Sequence, residues 1–139
     1  MLTLPEVRSK VAAELMTVVD TSSKPPNWST LEQLPYLSAV ILEGLRLSYG
    51  GAGRMPRIAP DETLIYEGKF GDKPVRYVIP PGTPISFSGY MINGNKDIFP
   101  KPDEFRPERW LTENGTRHKE LDGYLFSFGK GTRQCLGIK

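Results

Sequence analysis

The sequence predicts a mainly α chain with one small antiparallel β-sheet, an α+β arrangement within 139 residues. Three observations predict it. Apolar residues recur at helical spacing over residues 4–19 and 35–49. Short β-branched and aromatic runs between residues 56 and 88 are divided by Pro- and Gly-rich turns. Regular signal then fades over residues 97–122, before a glycine-rich loop at 126–137 that holds the only cysteine, Cys135.

The length suits one domain. A net charge of +2 implies no nucleic-acid or anionic-membrane partner. A single cysteine excludes an internal disulfide framework and a cysteine-cluster zinc site. The one histidine, His118, stands among Arg117, Lys119 and Glu120 and reads as a solvated loop position, which argues against a histidine metal site. No apolar run approaches the roughly 18 residues of a membrane span, and the first residues lack a signal-peptide pattern. Fourteen glycines and thirteen prolines stay below the roughly 25–30% that marks a low-complexity chain.

Taken in order, Thr3 and Glu6 have capping-box spacing around Pro5, and Val7, Val11, Leu15 and Val18 or Val19 continue a helix. Pro25 and Pro26 break it. Ser29-Thr30-Leu31-Glu32 repeats the capping pattern and predicts a short helical turn, with Pro35 restarting the helix. From Pro35 to Tyr49, Leu37, Val40, Ile41, Leu42, Leu45 and Leu47 cover nearly the whole circumference, and a helix apolar all round is a buried one. Gly50, Gly51 and Gly53 end it. The strand candidates are Thr63–Tyr66, Val75–Ile79 and Pro84–Ser88. Gly71-Asp72 reads as a turn, and Pro80-Pro81-Gly82-Thr83 as the tight turn joining the last two strands. Val75, Tyr77 and Ile79 share one apolar face. Gly89–Asn95 reads as one irregular helical turn. Residues 97–122 carry Phe99, Phe105 and Trp110 among prolines and charges, as a segment lying over a larger body would. Asn114-Gly115-Thr116 fits a glycosylation acceptor but reads as a turn. Cys135–Lys139 reads as the first turn of a helix.

Two sites carry chemistry. Glu43 and Arg46 are the only charges between Leu34 and Gly53, three residues apart on one helix face. On a surface such a pair is worth about 0.2–0.5 kcal/mol. In a buried helix it needs further partners, and another arginine is expected. The second site is Cys135. A lone cysteine is commonly a small buried core residue. Here Gly129, Gly131 and Gly137 allow positive φ and close approach to a flat object, and Arg133 stands two residues before the sulfur. Amide N–H groups and cations around a sulfur favour the thiolate, the form that ligates metal.

Phe128, Gly131, Arg133, Cys135 and Gly137 fill the pattern Phe-x-x-Gly-x-Arg-x-Cys-x-Gly, which resembles the haem-binding loop of the cytochrome P-450 family. Glu43-Gly44-Leu45-Arg46 is similar to that family's Glu-x-x-Arg signature, and Phe105-Arg106-Pro107-Glu108-Arg109-Trp110 to its Phe-x-Pro-Glu-Arg signature. The resemblance implies the C-terminal third of a mostly helical fold with a small sheet. It implies haem b with Cys135 as the thiolate ligand of iron, Arg133 and Arg54 on the propionates, with Arg57 either a surface charge or the actual partner in place of Arg54, and Phe128 and Gly137 as further cofactor-binding residues. Glu43, Arg46 and Arg109 then form a structural triad pinning residues 97–122 to the buried helix, and Gly51 to Met55 border a substrate pocket. The implied activity is a monooxygenase that inserts one oxygen atom of O2 into an organic substrate, fed by an NADPH-dependent reductase. The style of residues 34–50 resembles microsomal fungal members, which places the full-length family at the endoplasmic reticulum membrane, on its cytosolic face. The resemblance covers nearly all of this chain but about a third of a family member. The expectation is therefore an incomplete chain, inactive alone and without distal catalytic residues of its own. The alternative is a non-catalytic remnant or interaction fragment.

Overall fold

The computed structural model describes residues 4–19, 25–49 and 53–138. Thr3, Gly50, Gly51 and Lys139, which the sequence reading used at helix ends, lie outside the described residues. The chain forms two compact units, residues 1–51 with 89–139, and residues 52–88. The fold is mixed, with helices in the first unit and small antiparallel β pairs in the second.

In the first unit, α1 (Pro5–Leu15), α2 (Trp28–Glu32), α3 (Pro35–Leu47) and α4 (Gly89–Asn93) are followed by 3-10 turns at Pro107–Trp110, Lys119–Gly123, Gly131–Arg133 and Leu136–Ile138. Pro5 and Pro35 open α1 and α3, where an amide would have no intrahelical partner anyway. The α2 cap is Asn27 rather than Ser29, and its Oδ1 accepts the Thr30 amide at 2.8 Å. Ser29 and Thr30 hydroxyls turn back to the same oxygen, so the Ser/Thr signal served the cap without being it. The start of α3 is capped from outside: Glu14 of α1 takes the Tyr36 amide on Oε1 at 2.8 Å and the Leu37 amide on Oε2 at 2.7 Å. A carboxylate there also faces the positive end of the helix dipole.

Two cores hold this unit. Val7 and Val11 of α1 meet Val40 of α3, with Leu4, Leu15, Leu37 and Phe105 around them. Ala39 packs with Phe99 and Trp110, whose rings lie 5.9 Å apart at 45°. Phe99 and Trp110 are fully buried, and each such side chain is worth about 1.5–3 kcal/mol or more of transfer free energy. These contacts fix one side of α3, where Ala39, Val40, Glu43 and Arg46 are buried. The expectation of a helix buried all round is corrected here. Ile41 is 49% exposed, and Leu37, Ile41 and Leu42 border an apolar cavity of about 330 Å³ with Trp28 and Leu31.

In the second unit, β1 (Met55–Ile58) pairs antiparallel with β4 (Pro84–Phe87), and β2 (Leu64–Phe70) with β3 (Lys73–Ile79). Gly71, at φ 60, closes the β2–β3 hairpin with Asp72. The stacked pair Tyr66 and Tyr77 faces across it, flanked by Leu64 opposite Ile79 and Gly68 opposite Val75. The expected single sheet, with β3 and β4 joined as a hairpin, is not formed. Pro80 and Pro81 have no amide hydrogen to continue a ladder, and the Gly82 amide donates to Ala59 at 2.8 Å. The turn therefore returns β4 to β1, a strand that the sequence reading did not separate from its loop.

Candidate functional site

Glu43 is the point on which the first unit converges. It and Arg46 are fully buried, one helical turn apart on the packed side of α3. Arg46 meets the carboxylate with both prongs, Nε to Oε2 at 2.9 Å and Nη2 to Oε1 at 2.8 Å. Arg109, from the 3-10 turn at Pro107–Trp110, donates Nε to Oε1 at 3.0 Å. The Arg106 amide reaches Oε1 at 3.0 Å and the Trp110 indole N–H reaches Oε2 at 2.9 Å. Burial alone would push the Glu43 carboxyl up. The Arg46 guanidinium, the Arg106 amide and the Trp110 indole outweigh it and hold the carboxyl below the usual glutamate range.

Both arginines spend their remaining donors on carbonyls. Arg46 Nη1 donates to Asn93 O at 2.8 Å, and Arg109 Nη1 and Nη2 to Pro100 and Lys101 carbonyls at 2.8 and 3.1 Å. Lys101 takes φ 52, which an L residue adopts at a cost, and the Arg109 fork holds its carbonyl there. The carboxylate, two guanidinium groups and an indole thus fasten residues 99–110 to α3.

The cysteine loop follows. Gly129, at φ 69, donates to Phe126 O at 3.1 Å, and Gly131, at φ 77, accepts the Gln134 amide at 3.1 Å. These turns bring the Cys135 amide back to Phe128 O at 2.8 Å. Cys135 is a free, exposed thiol. Phe128 is half-buried under the loop, while Arg133 and Gly137 are exposed. A Cβ on Gly137 would stand 3.7 Å from the Cys135 sulfur, so the glycine keeps that side of the sulfur open. Arg54 is exposed and belongs to the other unit.

Sequence reasoning passed over three side chains that the geometry makes central: Trp110 on Glu43, Glu14 at the start of α3, and fully buried Asn93. The indole carried a signal, as the aromatic ending the Phe105–Trp110 run. Neither Glu14 nor Asn93 stands in a local pattern that sets it apart.

Among the described residues, no group of three His, Cys, Asp or Glu side chains could hold a bare metal ion. A single exposed thiol suits instead a metal that brings its other ligands with it, as iron does in a porphyrin. At the Gly131 turn nothing lies within 4 Å of where a Cβ would stand. On this chemistry the residues present fit haem.

A buried Glu–Arg–Arg node and an exposed cysteine loop thus stand in the helical unit of a chain that also carries small antiparallel β pairs. The chain belongs to the cytochrome P450 family, whose family model matches residues 1–139. It is 46% identical to the cytochrome P450 monooxygenase ppzE of Metarhizium rileyi, over 96% of this chain and 37% of that protein. It is 43% identical to the cytochrome P450 monooxygenase ucsK of an Acremonium species, over 99% of this chain and 26% of that protein. With tpcC of Cochliobolus heterostrophus, another cytochrome P450 monooxygenase, identity is 43% over 99% of the chain and 25% of the relative. The chain thus spans 25–37% of the length of these relatives. Family membership implies a haem cofactor. Among the described residues, no helix is long and apolar enough to cross a membrane.

Proposed function

We propose that this chain supplies the cysteine-ligand side of a haem-thiolate monooxygenase. The observation that carries this reading is the exposed Cys135 thiol on a loop turned by Gly129 and Gly131 and closed by the Cys135–Phe128 hydrogen bond. Cys135 holds the iron, and Arg133 takes a propionate. Phe128 and Gly137 shape the two ends of the loop. Glu43, Arg46 and Arg109 hold the segment that precedes it. Thiolate-bound haem supplies the activation of O2 by which one oxygen atom enters an organic substrate, with electrons from NADPH through a reductase. Attachment to the cytosolic face of the endoplasmic reticulum belongs to the same reading, by the resemblance to microsomal members of the family.

Haem titration of the purified chain, then reduction and CO, tests this, with Cys135→Ser in parallel. A red-shifted Soret band lost in the variant is the expected result. No haem-dependent change, or the same band in Cys135→Ser, overturns it.

One observation favours a second reading, a non-catalytic haem-binding or interaction module. Trp28, 75% exposed, and Ile41 border the apolar cavity beside α3, a surface of the kind that partners cover. A thiolate Soret band without substrate oxidation when reductase and NADPH are added would favour this reading.

A further inference from the structure

We propose that Asn93 is a positioning residue for Cys135, acting through the Phe126 amide and the Ser127 hydroxyl; its functional meaning rests on Cys135 being the iron ligand. Asn93 ends α4 and is fully buried. Its Oδ1 accepts the Phe126 amide at 3.1 Å. Its Nδ2 donates to Arg46 O at 3.2 Å and to Ser127 Oγ at 3.3 Å. The Ser127 hydroxyl passes its own hydrogen to Leu45 O at 2.7 Å. The last turn of α3 has carbonyls with no intrahelical amide donor; Asn93 serves that of Arg46, and Ser127 joins the Ser48 hydroxyl on that of Leu45. Arg46 returns the bond, Nη1 to Asn93 O at 2.8 Å, so the two residues hold each other in both directions.

From this junction the path to the sulfur is short. Phe126 O takes the Gly129 amide, and Phe128 O takes the Cys135 amide. The segment that both turns hang from, 126–128, has its first amide and its middle side chain fixed by Asn93. The start of α4 lies against the same segment, since a Cβ on Gly89 would stand 3.4 Å from Phe126 O. The site needs a group that accepts on one edge and donates twice on the other. A neutral amide does this, and a carboxylate or an apolar isostere does not.

Amide hydrogen exchange on the whole chain, comparing wild type with Asn93→Ala and Ser127→Ala, tests the proposal. Exchange at Phe126, Gly129 and Cys135 rises about fivefold in Asn93→Ala, the factor that one net hydrogen bond is worth. Val11 in α1 and Val40 in α3 change less. Ser127→Ala moves the same amides in the same direction by less. A uniform rise at all five amides, or no change at Cys135, overturns the proposal. If Asn93→Ala does not fold, Ser127→Ala, which removes one hydroxyl, decides alone by the same criterion. In haem-loaded, reduced, CO-bound samples, the share of the Soret band in the thiolate position falls in both variants. A wild type that binds no haem through Cys135 defeats the functional reading and leaves the exchange result to stand. A wild type that does, with variants unchanged in both readouts, defeats the role of Asn93 alone.

Discussion

The Trp110 indole N–H donates to Glu43 Oε2 at 2.9 Å, across 67 residues of sequence, with both side chains wholly buried. The ring also forms the core with Phe99 and Ala39, so one residue both packs the helix α3 and satisfies its buried charge. Trp110→Phe keeps much of the packing and removes the donor. It should cost about 1.5–3 kcal/mol, the range for a hydrogen bond to a charged group. Urea unfolding checks this as a lowered midpoint with an unchanged slope.

Arg46 and Arg109 share Glu43, but not equally. Arg46 holds both carboxylate oxygens and is fully buried, whereas Arg109 holds one and is 6% exposed. Arg46→Ala should cost about 3–5 kcal/mol by leaving the carboxylate inside without its main partner. Arg109→Ala should cost less and free the Pro100 and Lys101 carbonyls. Thermal unfolding of the two variants gives the order, and a larger loss in Arg109→Ala would reverse this assignment.

Glu14 caps α3 from a different helix. Glu14→Ala removes the acceptor for the Tyr36 and Leu37 amides together and should cost about 0.5–2 kcal/mol, the range for a lost N-cap. Circular dichroism alongside urea unfolding should show the stability loss with most helix content kept.

The Lys10–Glu108 pair makes stability depend on pH at both ends. Burial pushes the Glu108 carboxyl up, but the Lys10 ammonium and the Tyr36 hydroxyl hold it below the usual glutamate range. Its contribution is present above the unfolded value of about 4.3 and is lost as pH falls through the depressed folded value. The hydrogen bond to Glu108 holds the Lys10 ammonium above the usual lysine range. That contribution is present below the unfolded value of about 10.4 and is lost as pH rises through the folded one. The stability gap between wild type and Glu108→Gln should therefore be widest between these limits and close on either side. Unfolding midpoints across the pH range measure it, and a gap independent of pH would refute the coupling.

What was legible in the sequence was what local chemistry dictates. Pro35 and the apolar spacing after it marked α3, and Gly71-Asp72 marked a turn, which the structure uses to close the β2–β3 hairpin. Glu43 and Arg46 stood out because their neighbours are apolar. Partners chosen at long range were not legible. Pro80-Pro81-Gly82 announced a turn, but only the Gly82–Ala59 bond shows that β4 goes home to β1. β1 itself is four residues with Pro56 and Arg57 inside, too short and mixed for an alternating pattern. Asn93 gave no sign because what matters is that Arg46 and Phe126, 47 residues before it and 33 after, meet at its amide. Tertiary cover was overestimated for α3, since apolar composition says that a face can be buried and not what buries it.

The pairing of β1 with β4 around the β2–β3 hairpin sets an order of assembly. The hairpin closes through a two-residue turn, an event of about 1–10 μs. The outer pair must gather its ends across everything between Ile58 and Pro84, and the loop entropy of that closure falls only once the inner hairpin has already shortened the gap. The second unit should therefore zip from the inside outward, with the Tyr66–Tyr77 stack formed before Met55 and Phe87 come together.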